Sequence, residues 1–460
     1  MADRSASVSS LLSLLGQRGA LRAAEVLQAL GVSRATLSRT VKQARGEVLR
    51  FGETRSTVYA TSRQIGGQSA WPLYRITADA KVELLGELLA IGRTEFALRP
   101  TRPLPALTLP PLFGAGVFPD LPWFLDDQRP QGFLGRHFAH RLSATLGVPR
   151  DLKLWTGDHT VTALVECGHD QLGDLVLGER GLERALAGLD QPADVLQPED
   201  RATAYPALAM AALQGEPVGS LLGGEQQKFT AMVGVNGGVE SLIVKFSEAG
   251  GNPVATRWAS LLRSEATAAR VLNEGGIAAA ADRVFEAAGH VFLESPRFDR
   301  TPGLGRRGLV SLAALDAAFY GHASTPWWQF AEQLHRDGWI GADDADALQR
   351  IYWFGAMIGN SDMHLGNASL VLRDSRPLTL APVYDMLPMA WRPSAQGALV
   401  PRTLTLPIPA AGQLAQWRWA AEAAAKFWAA VRADAAIDSE LREAANKAQE
   451  LVDQGLRRFV

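Results

Sequence analysis

The stretch that says most about this 460-residue chain is Ile358-Gly359-Asn360-Ser361-Asp362-Met363-His364-Leu365-Gly366-Asn367-Ala368-Ser369-Leu370. An apolar run typical of a helix precedes it, and residues 368–372 have the composition of a strand. Asp362 and Asn367 have the D-x-x-x-x-N spacing of a kinase catalytic loop, in which the carboxylate accepts the proton of the substrate hydroxyl and the amide oxygen binds magnesium. The segment therefore predicts such a loop between a helix and a strand, with Asp362 as the catalytic base.

A second acidic residue, Asp385, ends the strand-like run Leu380-Ala381-Pro382-Val383-Tyr384. It lies 23 positions after Asp362, which is enough for a short hairpin that returns the chain to the same site, as the metal-binding aspartate of a kinase does. Asn367 and Asp385 are therefore the predicted magnesium ligands. We expect His364 to organise the loop through a hydrogen bond, because Asp362 already supplies the base.

A lysine interrupts the apolar strand predicted over residues 240–246. Burying an ammonium group costs several kcal/mol unless an anion pairs with it, so Lys245 requires a partner. A kinase strand lysine, which binds nucleotide phosphates and pairs with a helix glutamate, meets this requirement, and Glu265 in the helical run 258–272 is the candidate partner. The alternative is that Lys245 ends the strand and extends to water.

A glycine-rich segment precedes this strand. Paired glycines allow backbone N–H groups to approach phosphate oxygens, and a following lysine would add a cation. On its own the segment is equally compatible with a simple hairpin. The predicted ATP-binding residues of this segment are Gly223, Gly224, Gln226 and Lys228.

The charge of the chain is unevenly distributed. Lys and Arg number 46 and Asp and Glu number 48, a net charge of −2. Residues 1–63, however, contain ten basic and four acidic side chains, a net charge of +6, which leaves −8 on the remainder. This asymmetry predicts that the amino-terminal unit and the body of the chain bind different partners. The expected partner of the basic amino-terminal unit is nucleic acid.

The pattern within residues 1–63 supports that expectation. Helix-compatible spacing over 7–15, 20–30 and 34–45, with Gly31 between the last two, is typical of a helix-turn-helix. Two strand-like runs around a charged turn follow at 48–60 and predict a wing. A protein-docking module with a solvated basic face is the alternative. The predicted DNA-binding side chains are Arg34, Ser38, Arg39, Lys42, Arg50 and Arg55.

Composition excludes several other classes of protein. The lone cysteine, Cys167, cannot form an internal disulfide or a multi-cysteine metal site, and Cys167-Gly168-His169 is predicted to be structural. No signal peptide is visible, and the longest uncharged stretch, 103–119, contains too many prolines for a membrane helix. We therefore expect a cytoplasmic protein without a membrane partner.

Taken together, five segments resemble the HipA-like serine/threonine kinases, the toxins of type II toxin–antitoxin systems. The fused amino-terminal unit is similar to the YjjJ (HipH) subgroup of that family, and the resemblance extends from about Trp71 to the carboxyl terminus. The segments are Gly223 to Lys228, Leu242 to Phe246, Arg297-Phe298-Asp299-Arg300, Asn360 to Asn367 and Pro382 to Asp385.

The resemblance implies ATP and Mg²⁺ as cofactors, with Lys245 as the ATP-phosphate lysine. It also implies that Glu294 to Pro296 form the hinge that contacts adenine. In some members the glycine-rich loop carries an autophosphorylated serine, for which Ser220 is the nearest candidate, although Leu222 adds a residue before the glycines. The implied partners are a protein substrate such as an aminoacyl-tRNA synthetase, DNA through the amino-terminal unit, and an antitoxin.

The predicted fold class is α+β. A winged helix-turn-helix (1–63) and a linker (64–70) precede a HipA-like two-lobed kinase fold, with a mixed α/β lobe (71–300) and a mainly helical, all-α carboxyl-terminal lobe (301–460). Two other functions stay open. One is a transcriptional regulator with an inactive kinase-like body, and the other is a metal-dependent nuclease that uses Asp362, His364 and Asp385.

Overall fold

The amino-terminal unit contains helices and a small antiparallel sheet, whose first strand, Leu21–Arg22, lies within a range that the sequence predicts as helix. The structure is a computed structural model that describes residues 7–109, 112–190, 195–216, 226–235, 238–394 and 396–459. Ser7 and Ser33 cap the first and third helices by accepting the N–H groups of Ser10 and Thr36. The elements are α1 (Val8–Arg18), β1 (Leu21–Arg22), α2 (Ala23–Leu30), α3 (Arg34–Gln43), β2 (Val48–Phe51) and β3 (Val58–Thr61), with strand order β1-β3-β2.

This unit packs directly on the sheet that follows it. The stretch predicted as a linker contains a tight turn, in which Ile65 and Gln68 exchange backbone hydrogen bonds of 2.7 and 3.1 Å. The Arg63 N–H donates to the Ala90 carbonyl at 2.9 Å, and buried side chains of the two sheets, including Phe51 and Leu89, form one apolar cluster. The contact is therefore made by backbone hydrogen bonds as well as by apolar packing.

An antiparallel sheet forms the centre of the next region. Its described strands run in the order β7-β6-β5-β4-β8, and Trp71, Leu88 and Phe96 lie in its core. Trp123 continues this core into the carboxyl-terminal region, because its ring lies 5.8 Å from that of Trp339. The elements are β4 (Ala70–Ile76), β5 (Val82–Ala90), β6 (Phe96–Pro100), β7 (Val117–Phe118), α4 (Gly132–Leu146), α5 (Gly157–Cys167), β8 (Leu175–Leu177) and α6 (Glu179–Asp190).

A second sheet, with the described strand order β12-β13-β11-β10-β9, lies between two helices. Side chains on one face, such as Phe229 and Val244, pack with Tyr205 of α7. Val291 and Leu293 point to the opposite face and contact Leu262 of α8. The elements are β9 (Val195–Leu196), α7 (Arg201–Gln214), β10 (Lys228–Val235), β11 (Gly238–Phe246), α8 (Pro253–Glu274), β12 (Arg283–Ala287) and β13 (His290–Pro296).

The carboxyl-terminal region is mainly helical, but it is not all-α as predicted. An antiparallel sheet, β14-β15-β16, lies among its helices. The all-α description is wrong because the strand predicted over 368–372 pairs both with the strand-like run that begins at Leu380 and with β14, which was not predicted. The elements are β14 (Gly308–Ser311), α9 (Leu312–Phe319), α10 (Trp327–Arg336), α11 (Ala342–Met357), β15 (Ser369–Leu372), β16 (Thr379–Leu380), α12 (Leu414–Ala433) and α13 (Ser439–Phe459).

Large side chains of α12 fill the core of this region. Trp417, Phe427 and Trp428 are each fully buried, and the Trp428 indole N–H donates to the Met357 carbonyl at 3.1 Å. This hydrogen bond fixes the end of α11, immediately before the predicted catalytic loop. Within the described part of the chain, no helix combines the length and apolar character needed to cross a membrane.

Candidate active site

Two lysines lie opposite each other on the sheet face that packs against α8. In the antiparallel register of β10 and β11, Lys228 pairs with Lys245, and both residues are 5% exposed. The Lys245 Nζ lies 2.5 Å from Glu265 Oε1 of α8 and also contacts the Asp385 carboxylate. The structure thus brings together Lys245 and its predicted partner Glu265, and it adds Asp385 to the same ammonium group.

The electrostatics of this cluster keep the lysine charged. Burial by itself would lower the pKa of Lys245, but the nearby Asp385 and Glu265 carboxylates outweigh it and raise that pKa above its usual value. Burial opposes ionisation of Asp385 as well, yet the charges of Lys245 and Lys228 lower its pKa overall. Burial raises the pKa of Glu265 to about 7 although the charge of Lys245 opposes that effect, so Asp385 is the carboxylate that most firmly stays ionised beside the lysine.

Asp385 has an unusual backbone conformation. Its φ angle is +53°, in the left-handed region that non-glycine residues rarely adopt. The Asn360 side-chain amide donates to the Asp385 carbonyl at 3.3 Å, and the neighbouring Tyr384 hydroxyl donates to the Gly366 carbonyl at 2.9 Å. These two contacts stabilise the conformation and connect Asp385 to the segment that contains Asp362.

The predicted catalytic loop is organised by its own polar groups. The Asn360 Oδ1 accepts the Asp362 N–H at 3.0 Å, and the Asn367 side-chain amide donates to the Asp362 carbonyl at 2.8 Å. The His364 Nδ1 accepts the Gly366 N–H at 3.1 Å, which is the loop-organising hydrogen bond expected of this histidine. Both ends of the D-x-x-x-x-N motif are therefore fixed relative to each other.

A glycine directs α11 into this loop. Gly359 has a φ angle of +71°, and a Cβ atom there would lie 2.4 Å from the Trp391 ring. Any other residue would strain the backbone and displace Trp391, so this turn requires glycine. The requirement explains why the helix ends where it does and why Asp362 lies beside the hairpin rather than along the helix.

The two residues predicted to bind magnesium are of a type that suits a cation held in part by other ligands. The Asn367 side-chain NH₂ group donates a hydrogen bond to the Asp362 carbonyl, so the amide oxygen of Asn367 is the atom that could bind a metal, together with the Asp385 carboxylate. Among the described residues, no group of three or more His, Cys, Asp or Glu side chains could form a complete protein site. Magnesium commonly uses one or two protein ligands together with substrate phosphates and water, which matches this limited set.

Some predicted nucleotide contacts are placed elsewhere or lie outside the described residues. Glu294 is opposite Val244 in the sheet, so its side chain points to the face away from Lys245, where it binds Arg201 at 2.9 Å and Tyr205 at 2.7 Å. The Glu294 side chain therefore does not reach the lysine cluster. Pro296 ends β13, and Gln226 lies just before β10, where it is half-buried. Ser220, Gly223 and Gly224 lie outside the described residues.

One acidic residue near the cluster escaped the sequence analysis. Asp282 lies just before β12 and accepts a 2.6 Å hydrogen bond from the Ser295 hydroxyl. Burial raises the pKa of Asp282 to about 6, while the hydrogen bond from Ser295 and the nearby charge of Lys245 oppose that effect. A signal was present, because this acid follows a run of alanines and precedes a strand, but its proximity to Lys245 depends on the pairing of distant strands.

The basic side chains of the amino-terminal unit lie on its surface. Arg34, Ser38, Arg39 and Lys42 are exposed on α3, and Arg50 and Arg55 are exposed on and after β2. The apolar side of α3, which includes Leu37, packs into the core with Leu11 and Leu15. The helix therefore presents a basic face to solvent.

Two family descriptions match the chain. The YjjJ-like toxin middle domain matches residues 67–186, and the HipA-like C-terminal domain matches residues 220–455. Toxin YjjJ of Escherichia coli strain K12 is 34% identical over 452 residues, covering 97% of this chain and 98% of that protein.

Two solved structures are also similar. One is a chain of the Shewanella oneidensis MR-1 toxin–antitoxin complex of HipA, HipB and operator DNA, with 17% identity and a TM-score of 0.47, covering 85% of this chain and 96% of that one. The other is the Helicobacter pylori proinflammatory kinase CtkA, with 13% identity and a TM-score of 0.36, covering 52% of this chain and 92% of that one. The resemblance predicted from the motifs is confirmed by the two family matches and the Escherichia coli relative: the chain belongs to the HipA-like toxin family, in its YjjJ-like branch.

Proposed function

We propose that this protein is an ATP- and Mg²⁺-dependent kinase that transfers a phosphoryl group to a serine or threonine hydroxyl of a protein. The observation that carries the proposal is the Lys245 ammonium group, which contacts Glu265 and Asp385 at once. A strand lysine paired with a helix glutamate, beside a metal-binding aspartate, is the arrangement that kinases require. The motif spacing and the family membership support the same conclusion.

Asp362 is the proposed catalytic base. Its backbone is fixed by Asn360 and Asn367, while its side chain is only half-buried and can be reached by a substrate. A carboxylate in this position accepts the hydroxyl proton as the oxygen attacks phosphorus. His364 is a positioning residue in this scheme, since its ring accepts the Gly366 N–H within the same loop.

Lys245 and Lys228 are the proposed cationic contacts for nucleotide phosphates. Both lie on the face of the sheet that also meets Asp385, and Glu265 keeps Lys245 oriented. Asn367 and Asp385 are the residues that would hold Mg²⁺, which neutralises charge on the phosphate oxygens when it is bound. The glycine-rich residues Gly223 and Gly224, and autophosphorylation at Ser220, remain predictions from the sequence.

Phosphate transfer from radiolabelled ATP into a cell lysate tests this proposal. Asp362→Asn keeps the side-chain volume but removes the base, and Asp343→Asn is a matched control because Asp343 is exposed in the first turn of α11. We expect label on serine or threonine with the wild type and the control, and none with Asp362→Asn. Absence of transfer by the wild type, or equal transfer by Asp362→Asn, would refute the kinase.

Assays of DNA binding and of plasmid cleavage, run beside phosphate transfer, separate the two other functions. An inactive kinase-like body would bind DNA without transferring phosphate. A nuclease that uses Asp362, His364 and Asp385 would cleave plasmid DNA with Mg²⁺ in the absence of ATP. The described residues favour the kinase, because a nuclease gives no role to Lys245 and its buried partner Glu265.

We also propose that the amino-terminal unit is a winged helix-turn-helix that binds operator DNA. The short turn between α2 and α3, the β2–β3 hairpin and the exposed basic side chains support this assignment. Its role would be to autoregulate the operon or to restrain the kinase, alone or with a separate antitoxin. Binding of the full-length protein to its own promoter, compared with an Arg39→Ala and Lys42→Ala double variant, tests the assignment. Equal binding by both proteins would refute it.

A further inference from the structure

The function of residues 67–186, here called the middle domain, is not explained by the kinase chemistry. None of the proposed catalytic or nucleotide-binding residues lies within it. It nevertheless contacts residues 369–385, here called the catalytic hairpin, which connect the predicted catalytic loop to Asp385. This hairpin contains β15 and β16, follows directly after Asn367, and ends at Asp385.

The first contact is at the tip of the catalytic hairpin. Asp374 lies between β15 and β16. Its carboxylate accepts a 2.7 Å hydrogen bond from the Arg75 guanidinium and also contacts Arg102. The Ala106 N–H donates to the Asp374 carbonyl at 2.9 Å, so the middle domain binds both the side chain and the backbone of this residue. Arg75 is itself oriented by Asp174, which lies 2.9 Å away.

The second contact is at the base of the hairpin. Both oxygens of Asp127, in the middle domain, accept hydrogen bonds of 2.6 Å from the Ser311 N–H and hydroxyl groups. Ser311 is directly opposite Ser369 in the pairing of β14 with β15. The Ser369 hydroxyl bonds to that of Tyr384 at 2.8 Å, and Tyr384 in turn donates to the Gly366 carbonyl of the catalytic loop.

A short hairpin needs such support. Strand β16 has two residues and pairs with β15 at only two positions, so few backbone hydrogen bonds hold this edge of the three-stranded sheet. Asp362 and Asn367 precede this hairpin and Asp385 is its last residue, so its orientation sets the relative positions of the proposed base and metal ligands. Arg75 is 9% exposed, which makes its ion pair with Asp374 stronger than a typical surface pair.

We propose that the middle domain is a positioning element that holds the catalytic hairpin at its tip through Asp374 and at its base through Asp127. This inference rests on the proposed kinase function for its catalytic consequence, but its structural part can be tested without any activity. The contacts bypass Lys245 and Glu265. Loosening them should therefore disturb the alignment of Asp362, Asn367 and Asp385 more than the contacts that Lys245 and Glu265 make with each other.

Hydrogen–deuterium exchange on the full-length protein tests the structural part. In Asp374→Asn the charge that binds both arginines is removed at nearly constant volume. In Asp127→Asn one of the two acceptor oxygens is replaced by an NH₂ group that faces a donor. We expect exchange in residues 360–372 to accelerate about tenfold or more in each variant, because local opening is limited by such contacts. Arg180→Ala is the control, since Arg180 forms a middle-domain ion pair with Glu166 away from the hairpin.

Unchanged exchange in residues 360–372 would overturn the proposal. Uniformly faster exchange across the whole chain would overturn it as well, since it would show that these contacts contribute only general stability. If Asp374→Asn cannot be purified folded, Arg102→Ala replaces it, because the Arg102 side chain is 41% exposed and its loss leaves no buried cavity. The same two results then decide the question.

Steady-state phosphate transfer tests the catalytic part. We expect kcat to fall about tenfold in Asp374→Asn while the KM for ATP rises by clearly less, because the pairing of Lys245 with Glu265 does not depend on the hairpin. A parallel rise in KM would place the effect on nucleotide binding and overturn the positioning role. If the wild type transfers no phosphate, the kinase proposal fails, and the exchange experiment still decides whether the hairpin is held.

Discussion

Replacing Lys245 by methionine should destabilise the protein strongly, and the structure indicates why. The Lys245 side chain is 6% exposed, and its partner Glu265 is 2% exposed, so the substitution leaves a buried carboxylate without its cation. Removing one member of a buried ion pair costs about 3–5 kcal/mol. Asp385 adds less to this penalty because its side chain is 29% exposed and can be hydrated. For a cooperative unit of 150–250 residues, the loss corresponds to a fall in Tm of about 10 °C.

A second substitution should recover part of that loss. Glu265→Gln in the Lys245→Met background removes the uncompensated charge, so we expect the double variant to be more stable than Lys245→Met alone. Thermal unfolding followed by tryptophan fluorescence, applied to the wild type, both single variants and the double variant, measures the coupling. The two substitutions should be non-additive by at least about 1 kcal/mol, as is usual for residues in direct contact. Additive effects would refute the assigned pairing of Lys245 with Glu265.

Three further predictions follow from the contacts around the site. Tyr384→Phe removes the hydroxyl that donates to the catalytic loop, and we expect phosphate transfer to fall about tenfold with a loss of about 1 kcal/mol in stability, measured by kinetics and thermal unfolding. Burial raises the pKa of Asp127 to about 6, so the folded protein binds a proton here more tightly than the unfolded chain does. The resulting contribution to stability is fully present below about pH 4 and is lost as the pH rises through about 6. The stability of the wild type relative to Asp127→Asn should therefore fall by about 2–3 kcal/mol from pH 4 to pH 7, and a constant difference would contradict this. Arg39→Ala should weaken DNA binding and reduce the slope of log affinity against log salt by about 1, whereas an unchanged slope would exclude a phosphate contact.

The chemistry-bearing segments could be predicted because local spacing encodes them. Asp362 and Asn367 are close in sequence, and a lysine within an apolar strand requires a partner wherever that strand lies. The structure brings Lys245 next to Glu265 as expected and adds Asp385 to the same ammonium group. The roles of these residues in catalysis stay predictions until phosphate transfer is measured.

What the sequence could not predict depends on contacts between distant segments. The register of β11 with β13 turns the Glu294 side chain away from the lysine cluster, and no local pattern specifies that register. The proximity of Asp282 to Lys245 arises in the same way. Strand β14 was not predicted, and its pairing with β15 joins two segments that are distant in sequence, so the three-stranded sheet of the carboxyl-terminal region was not recognised.

The contacts of the middle domain could not be predicted from the sequence either. No local pattern connects Arg75 or Asp127 to a loop more than two hundred residues away. Both residues are polar and buried or half-buried, which becomes informative only when their partners Asp374 and Ser311 are known. A charged residue in an apolar stretch of sequence therefore indicates that a partner exists, but only the folded structure identifies that partner.

The most direct test of the central claim is the rate of phosphate transfer from ATP to protein at saturating Mg²⁺ and nucleotide, compared between the wild type and Asp362→Asn. The account predicts transfer by the wild type and a loss of at least about a hundredfold in the variant, since general base catalysis contributes about 10²–10⁴-fold. Its Tm should match that of the wild type, because the Asp362 side chain is only half-buried. Equal rates in the two proteins would contradict the assignment of Asp362 as the base, and no transfer by the wild type would contradict the kinase itself.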